Sequence, residues 1–181
     1  MGSLGRVSRM IQLTLATLRP RRAVVGRDLL DASVTHLRVR PGDLDIYRHV
    51  NNGVYLQYMD LGRSNLLADL GAFGRLGTRG WYPVVAASTV KYRRSLTLGQ
   101  RFTVTTRVVG WDDRVVYLEQ VVERGGQHVA RGWIAGRFLS RAGERIAPAD
   151  VAAAIADEPR VSPSLPDDLA AWARAVDVAH R

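Results

Sequence analysis

Cysteine is absent from all 181 residues. That excludes disulfides, thiolate metal ligands and a cysteine nucleophile, and leaves the redox compartment open. Histidine is scarce: His36, His49, His128 and His180 are the full set, and no two stand at the His-x-x-x-His spacing of a helical zinc site. No metal is expected. Lysine is nearly missing, with Lys91 alone among 26 basic residues, so the formal charge of +9 is almost wholly arginine. Such a balance can serve nucleic acid, anionic lipid or a phosphorylated cofactor, or reflect no more than an alanine- and arginine-rich composition. The arginines are scattered and no RNA-binding aromatic signature accompanies them, so nucleic acid is not an expected partner.

Long apolar runs are also lacking. Leu4, Val7, Ile11, Leu15 and Leu18 recur at helical spacing, with Arg6, Arg9 and Gln12 between them. This predicts a basic amphipathic helix that stops before Pro20, too short and too interrupted to span a bilayer. No small-residue cleavage site of a secretory signal follows it. With Arg19, Arg21 and Arg22 behind it, the helix can lie on an anionic membrane, or it can dock on the domain or on a partner subunit. The sequence leaves both open. The expected location is cytoplasmic, with peripheral membrane contact in the first case.

What is present suits a soluble domain with a real core: 46% hydrophobic and 24% charged residues. The organising stretch is Asp43–Arg63, Asp-Leu-Asp-Ile-Tyr-Arg-His-Val-Asn-Asn-Gly-Val-Tyr-Leu-Gln-Tyr-Met-Asp-Leu-Gly-Arg. Two carboxylates, a histidine and an Asn-Asn pair sit in a short polar loop, and a helix from about Gly53 to Leu70 follows. Asn51 and Asn52 are good caps, and beyond them lie unpaired backbone N–H groups and the positive end of the helix dipole. The helix is apolar nearly all round, which predicts burial. Gly71, Gly74, Gly77 and Gly80 then read as a loop whose spacing fits no phosphate-binding fingerprint.

The remainder is mostly strand. Val34–Arg40 alternates until Pro41-Gly42, and further strands are expected over Val84–Leu96, Gln100–Gly110, Arg114–Glu123 and His128–Ser140. Trp111-Asp112-Asp113 and Gly125-Gly126 supply hairpin turns. Ala130, Gly132, Ile134, Gly136 and Phe138 share one face of the last strand, where the small residues admit something bulky such as a helix. Trp111 and Trp133 read as packing residues. Pro148–Asp157 and Pro166–Ala179 open with proline and acidic residues, as helix starts do, and read as a peripheral helical tail. The expected organisation is an N-terminal helix and linker over 1–32, a central domain over 33–140 and a helical extension over 141–181. One strand, a buried helix and a run of antiparallel strands make an α+β fold in which a sheet curls around one long central helix. Its open edges favour a homodimer or a dimer of dimers.

Asp-x-Asp followed by His-Val-Asn-Asn-Gly-x-Tyr-Leu, and a helix carrying Asp-Leu-Gly-Arg, resembles the hotdog-fold acyl-thioesterase superfamily, in its 4-hydroxybenzoyl-CoA thioesterase-like branch. Val85-Ala86-Ala87-Ser88, Tyr92-Arg93-Arg94-Ser95-Leu96, Gly110-Trp111-Asp112-Asp113-Arg114 and Pro163-Ser164-Leu165-Pro166-Asp167-Asp168-Leu169 with Trp172 are similar to the member-6-like group of that superfamily. The resemblance spans roughly Leu37 to Trp172. It departs at Arg48, where many relatives carry glycine, and at Tyr47, where plant acyl-carrier-protein thioesterases carry asparagine.

The resemblance implies a hotdog fold and hydrolysis of an acyl thioester, on coenzyme A or acyl-carrier protein, without metal or redox cofactor. Asp45 takes the position of the branch's catalytic aspartate, as general base or nucleophile, and Asp43 is left to an Asx-type turn. Backbone N–H groups around Asn52 and Gly53 are candidate oxyanion donors. Asn51 either positions water or the thioester, or is a plain cap. His49 bonds the thioester carbonyl or the carboxylate, or is structural. Another hotdog branch places its carboxylate on the central helix, which makes Asp60 a second candidate, with a pairing to Arg63 or to a partner subunit as its structural alternative. Arg93 and Arg94 are candidates for coenzyme A phosphates, strand alternation letting at most one face a given site. The competing readings are a non-catalytic acyl-CoA or lipid-binding hotdog protein, a hotdog dehydratase or hydratase, and a membrane-associated interaction protein using Leu4–Arg22.

Overall fold

The computed structural model describes residues 12–14 and 16–179. Strand β1 (Ser33–Arg38) leads through a 3-10 turn (Pro41–Asp43) and the motif loop into helix α1 (Asn52–Asp69) and a short helix α2 (Ala72–Thr78). Strands β2 (Tyr82–Tyr92), β3 (Arg101–Trp111), β4 (Val116–Arg124), β5 (Gln127–Leu139) and β6 (Arg145–Ile146) follow, then helices α3 (Pro148–Ala156) and α4 (Asp167–Ala175). All pairings are antiparallel, in the order β1-β3-β4-β5-β2 with β6 on β5, so β1 and β2 are the edges. Register puts Leu37 beside Phe102, Val104 beside Val122 and Gln120 beside Gly132. The side chains of this inner face meet α1. The α+β expectation, a curled sheet around one helix, is borne out.

Helix α1 is buried along most of its length because both of its broad faces find cover. Tyr55, Tyr58, Met59 and Leu61 meet the sheet, and Leu66 and Leu70 meet α2 and α3. The closest approach is at Gly62, where a Cβ would lie 2.6 Å from Thr106 Oγ1 and 3.0 Å from Gln120 Nε2. Gly132 plays the same part from the sheet side, its missing Cβ position 3.0 Å from Met59 Cε. The small residue at 132 admits the helix, as its placement on that face predicts.

Two expectations are corrected. The glycine-punctuated stretch is no loop: Ala72 and Leu76, one turn apart, are buried against α1 and α3 and hold 72–78 helical. Gly71 and Gly80, at φ 62° and 69°, bracket it in the left-handed conformation that glycine adopts without strain. The C-terminal tail is not peripheral either. Helix α4 lies on the outer face of the sheet, with Leu169 and Ala173 fully buried against Val115, Tyr117 and Ala135, and Trp172 against Trp133. Finally, the N-terminal helix is seen only over its described residues, where Leu13 and Ala16 pack on the α1 core; Leu4 to Ile11, Leu15 and His180 lie outside them. No helix among the described residues is long and apolar enough to cross a membrane.

From residue 19 to 32 the chain forms a strap over the end of α1, fixed by Asp69. This carboxylate is buried, accepts from Arg21 at 2.5 Å and Arg27 at 3.2 Å, and its carbonyl accepts from the Val24 N–H. The same Arg21 Nη2 also donates to Ser33 Oγ at the start of β1, and Nη1 donates to the Val34 carbonyl.

Candidate functional site

The motif loop is a miniature hairpin. Leu44 pairs with Val50, the Asn51 N–H donates to the Asp43 carbonyl at 2.9 Å, and the Asp45 N–H to the His49 carbonyl at 2.8 Å. Asp43 is buried, and its Oδ2 accepts from the Arg40 N–H, fixing the 3-10 turn. The Asx-type bonds belong instead to Asp45: its Oδ1 accepts from Tyr47 N–H at 2.9 Å and His49 N–H at 3.2 Å. Its Oδ2 has no partner among the described residues, so one oxygen anchors the turn and the other is available. The His49 side chain is exposed in the same turn, and its backbone bridges to Thr97.

Arg48 closes this turn at φ 62°. A non-glycine residue there costs about 1–2 kcal/mol, which explains why glycine suits the position. Arg48→Gly relieves that strain and loses part of the gain to the freer unfolded chain. It should raise stability by about 0.5–1 kcal/mol net, or roughly 1–4 °C in Tm at this size. A fall in Tm on calorimetry would mean that the arginine side chain holds the turn.

At the helix start Asn51 is the N-cap, its Oδ1 accepting from the Gly53 N–H at 2.9 Å, while the Val54 N–H bonds to the Asn51 carbonyl. The Gly53 N–H, one of the two candidate oxyanion donors, is engaged by this cap. The Asn52 N–H is the one left without a protein acceptor among the described residues. Tyr92 donates to the Asn52 carbonyl at 3.1 Å and stacks edge-on against Tyr55, whose hydroxyl accepts from the Leu96 N–H. Ile46 and Tyr47 in the loop are 88% and 74% exposed, and Leu56, Tyr92 and Leu98 are exposed as well.

Arg93 and Arg94 do not alternate. Strand β2 ends at Tyr92, and both amides bond to the Val129 carbonyl, at 2.8 and 3.1 Å. Both side chains are exposed, and Arg94 donates to the His128 carbonyl at 3.2 Å.

Asp60 stands apart from this loop, two turns along α1. It is ion-paired with Arg63, which also donates to Gln120 Oε1 at 2.7 Å; Gln120 in turn donates to the Met59 carbonyl and Thr106 Oγ1. Asp-Leu-Gly-Arg thus encodes a half-buried ion pair around the glycine that touches the sheet. Burial lifts the Asp60 carboxyl above the usual carboxylate range, and the Arg63 charge pulls part of the way back. Asp112, in the other motif, is a turn-maker: Oδ1 accepts from Arg114 and Val115 N–H, and Oδ2 from the Tyr117 hydroxyl.

Asp60, Arg63 and Ser64 border a cavity of about 270 Å³. Its walls are otherwise apolar apart from Thr17, and include Leu66, Val108, Trp111, Ile134 and Phe138. The sequence pattern did not reveal this cavity. Its one local signal was the i, i+4 spacing of Asp60 and Ser64 on an apolar helix.

This set of features, a curled antiparallel sheet, a buried central helix and a carboxylate loop at the helix start, defines the hotdog class. Residues 39–173 match the model of the thioesterase-like superfamily, and the chain belongs to that family. It is 33% identical over 156 residues to Protein THEM6 of Danio rerio, covering 84% of this chain and 74% of that one. It is 32% identical over 98 residues to the long-chain acyl-CoA thioesterase FadM of Escherichia coli, covering 53% of this chain and 74% of that one. Among solved structures, YbaW, a probable thioesterase from Escherichia coli, shares the fold at a TM-score of 0.63 and 24% identity, over 70% of this chain and 98% of that one.

Proposed function

We propose that the protein hydrolyses acyl thioesters of coenzyme A, with Asp45 as general base or nucleophile and the Asn52 N–H as an oxyanion donor. The observation that carries this reading is the divided Asp45 carboxylate: Oδ1 is fixed by two backbone N–H groups while Oδ2 stays available. A positioned oxygen of that kind meets the geometric requirement on a base or nucleophile. The Asn52 N–H adds a preorganised donor at the positive end of an 18-residue helix. The similarity to the long-chain acyl-CoA thioesterase FadM supports coenzyme A as the carrier.

The exposed apolar residues around the loop, and the 11-residue edge strand β2 with half-exposed Tyr82, Val85 and Tyr92, favour a second copy of the chain covering this end. Asp60 supports a second reading of the same reaction, because it borders the apolar cavity with a raised pKa. The test is thiol release from acyl-CoAs and acyl-carrier protein by the purified full chain. Turnover on acyl-CoA is the expected result. Saturable acyl-CoA binding without turnover would replace this reading by the non-catalytic one, and enoyl-CoA hydration by the hydratase one.

A further inference from the structure

The arginines that are scattered along the sequence gather at one corner of the sheet. Strand β1 turns Leu37 towards the α1 core and exposes His36 and Arg38 on its other face. Arg40, still extended and exposed, continues that outer face two residues on. Arg38 is the register partner of the exposed Arg101 on β3, and His36 is the partner of Thr103. Directly opposed residues of an antiparallel pair share a face, so two guanidiniums are set against each other here. Like charges in that relation destabilise a sheet. The three arginines line one concave pocket with His36, Thr103 and Gln12. Little negative charge answers them. Among the described residues Glu123 is the one carboxylate lining the pocket, and His128 engages it at 3.2 Å. Glu119, farther along the same face, is taken by Arg107 and Arg131. The Arg101 side chain has no partner among the described residues.

We infer that this pocket binds a phosphate group carrying two or more negative charges, clamped between Arg38 and Arg101 with Arg40 beside them. A guanidinium presents paired N–H donors that match two phosphate oxygens. An anion between opposed arginines turns their mutual repulsion into attraction to a common partner. Arg38 is already oriented for this, because its Nε donates to the Gly99 carbonyl at 3.0 Å. The Thr103 hydroxyl and the Gln12 amide supply neutral donors. Strands β1 and β2 are opposite edges of the sheet, so this clamp lies across its full width from Arg93 and Arg94. It projects from the face turned away from α1, and it stands whether or not thioesters are hydrolysed. A soluble phosphomonoester or pyrophosphate and the phosphate headgroup of a lipid present the same chemistry to it.

The first arm of the test is calorimetric titration of pyrophosphate into the full chain at low ionic strength. Saturable binding at a single site is expected. Arg38→Gln/Arg101→Gln should weaken it by about tenfold or more, the effect of losing a charge-assisted hydrogen bond. Arg141→Gln/Arg145→Gln removes the same two charges beyond the far end of β5 and should bind as the parent does. Without ligand, Arg101→Thr should melt at or above the parent Tm, since the opposed charge is gone. It should nevertheless lose most of the Tm gain that pyrophosphate gives the parent. The second arm separates the two sources. Cosedimentation with phosphatidylcholine vesicles doped with phosphatidic acid, absent with undoped vesicles and lost in Arg38→Gln/Arg101→Gln, assigns a lipid headgroup. Binding of glycerol 3-phosphate without that retention assigns a soluble ligand. No saturation with pyrophosphate, equal weakening in the two double variants, or an Arg101→Thr chain that keeps the full Tm gain overturns the proposal.

Discussion

Asp45→Asn is expected to lower kcat for acyl-CoA hydrolysis by about 10²–10⁴-fold, with KM nearly unchanged. The substitution is chosen for what it preserves. An asparagine oxygen can still accept from the Tyr47 and His49 N–H groups that Asp45 Oδ1 serves, so the turn and the helix start keep their shape. What changes is Oδ2, which becomes an amide nitrogen unable to take a proton or attack a carbonyl. A loss in kcat with an unaltered Tm therefore assigns chemistry to that oxygen, whereas full activity in Asp45→Asn sinks it. The second reading is separated by Asp60→Asn and by pH. If Asp60 is the base it must be ionised to work, and burial has raised its pKa. The rate would then fall with decreasing pH at a point above the ordinary carboxylate value of about 4, and Asp60→Asn would abolish that limb. The same raised pKa has a stability counterpart. Folding favours the protonated form, so the contribution of Asp60 is fully present below its unfolded pKa and is lost as pH rises through the folded one.

The largest stability effect is expected at Asp69. Asp69→Ala removes a buried carboxylate that accepts from two guanidiniums and leaves Arg21, which is exposed, and Arg27, which is partly covered, without their counter-charge. Breaking a buried pair from one side costs about 3–5 kcal/mol, and the partial exposure of Arg21 argues for the lower end. At about 3 kcal/mol, a chain of this length should lose roughly 6–12 °C in Tm. A Tm within about 2 °C of the parent would show that the latch holds the strap without stabilising the domain.

The motif loop was legible because its chemistry is local. Asn51 as a cap, Asp112 as a turn-maker and the α1 helix all follow from residues within a few positions of each other, and the structure agrees. At the helix start two adjacent asparagines offer two caps, and only the fold decides that Asn51 takes the Gly53 N–H. Arg93 and Arg94 misled because alternation holds only while a strand lasts, and β2 stops one residue earlier. The α2 segment was hidden because its glycines argue against a helix, while part of the burial that outweighs them comes from Val151 and Ile155, far off in the chain.

By itself the sequence determined the order of the long strands around the central helix, the buried character of that helix and the loop that carries Asp45, since each is written in short-range periodicity, capping chemistry and turn residues. Tertiary structure alone decided that Asp69 latches the strap, that α4 belongs to the outer face of the sheet, and that Gly136 faces a cavity while Gly132 faces a methionine. Those outcomes depend on which surfaces meet across tens of residues. Two glycines four apart on one strand are identical to any local rule, and only the helix lying across one of them tells them apart.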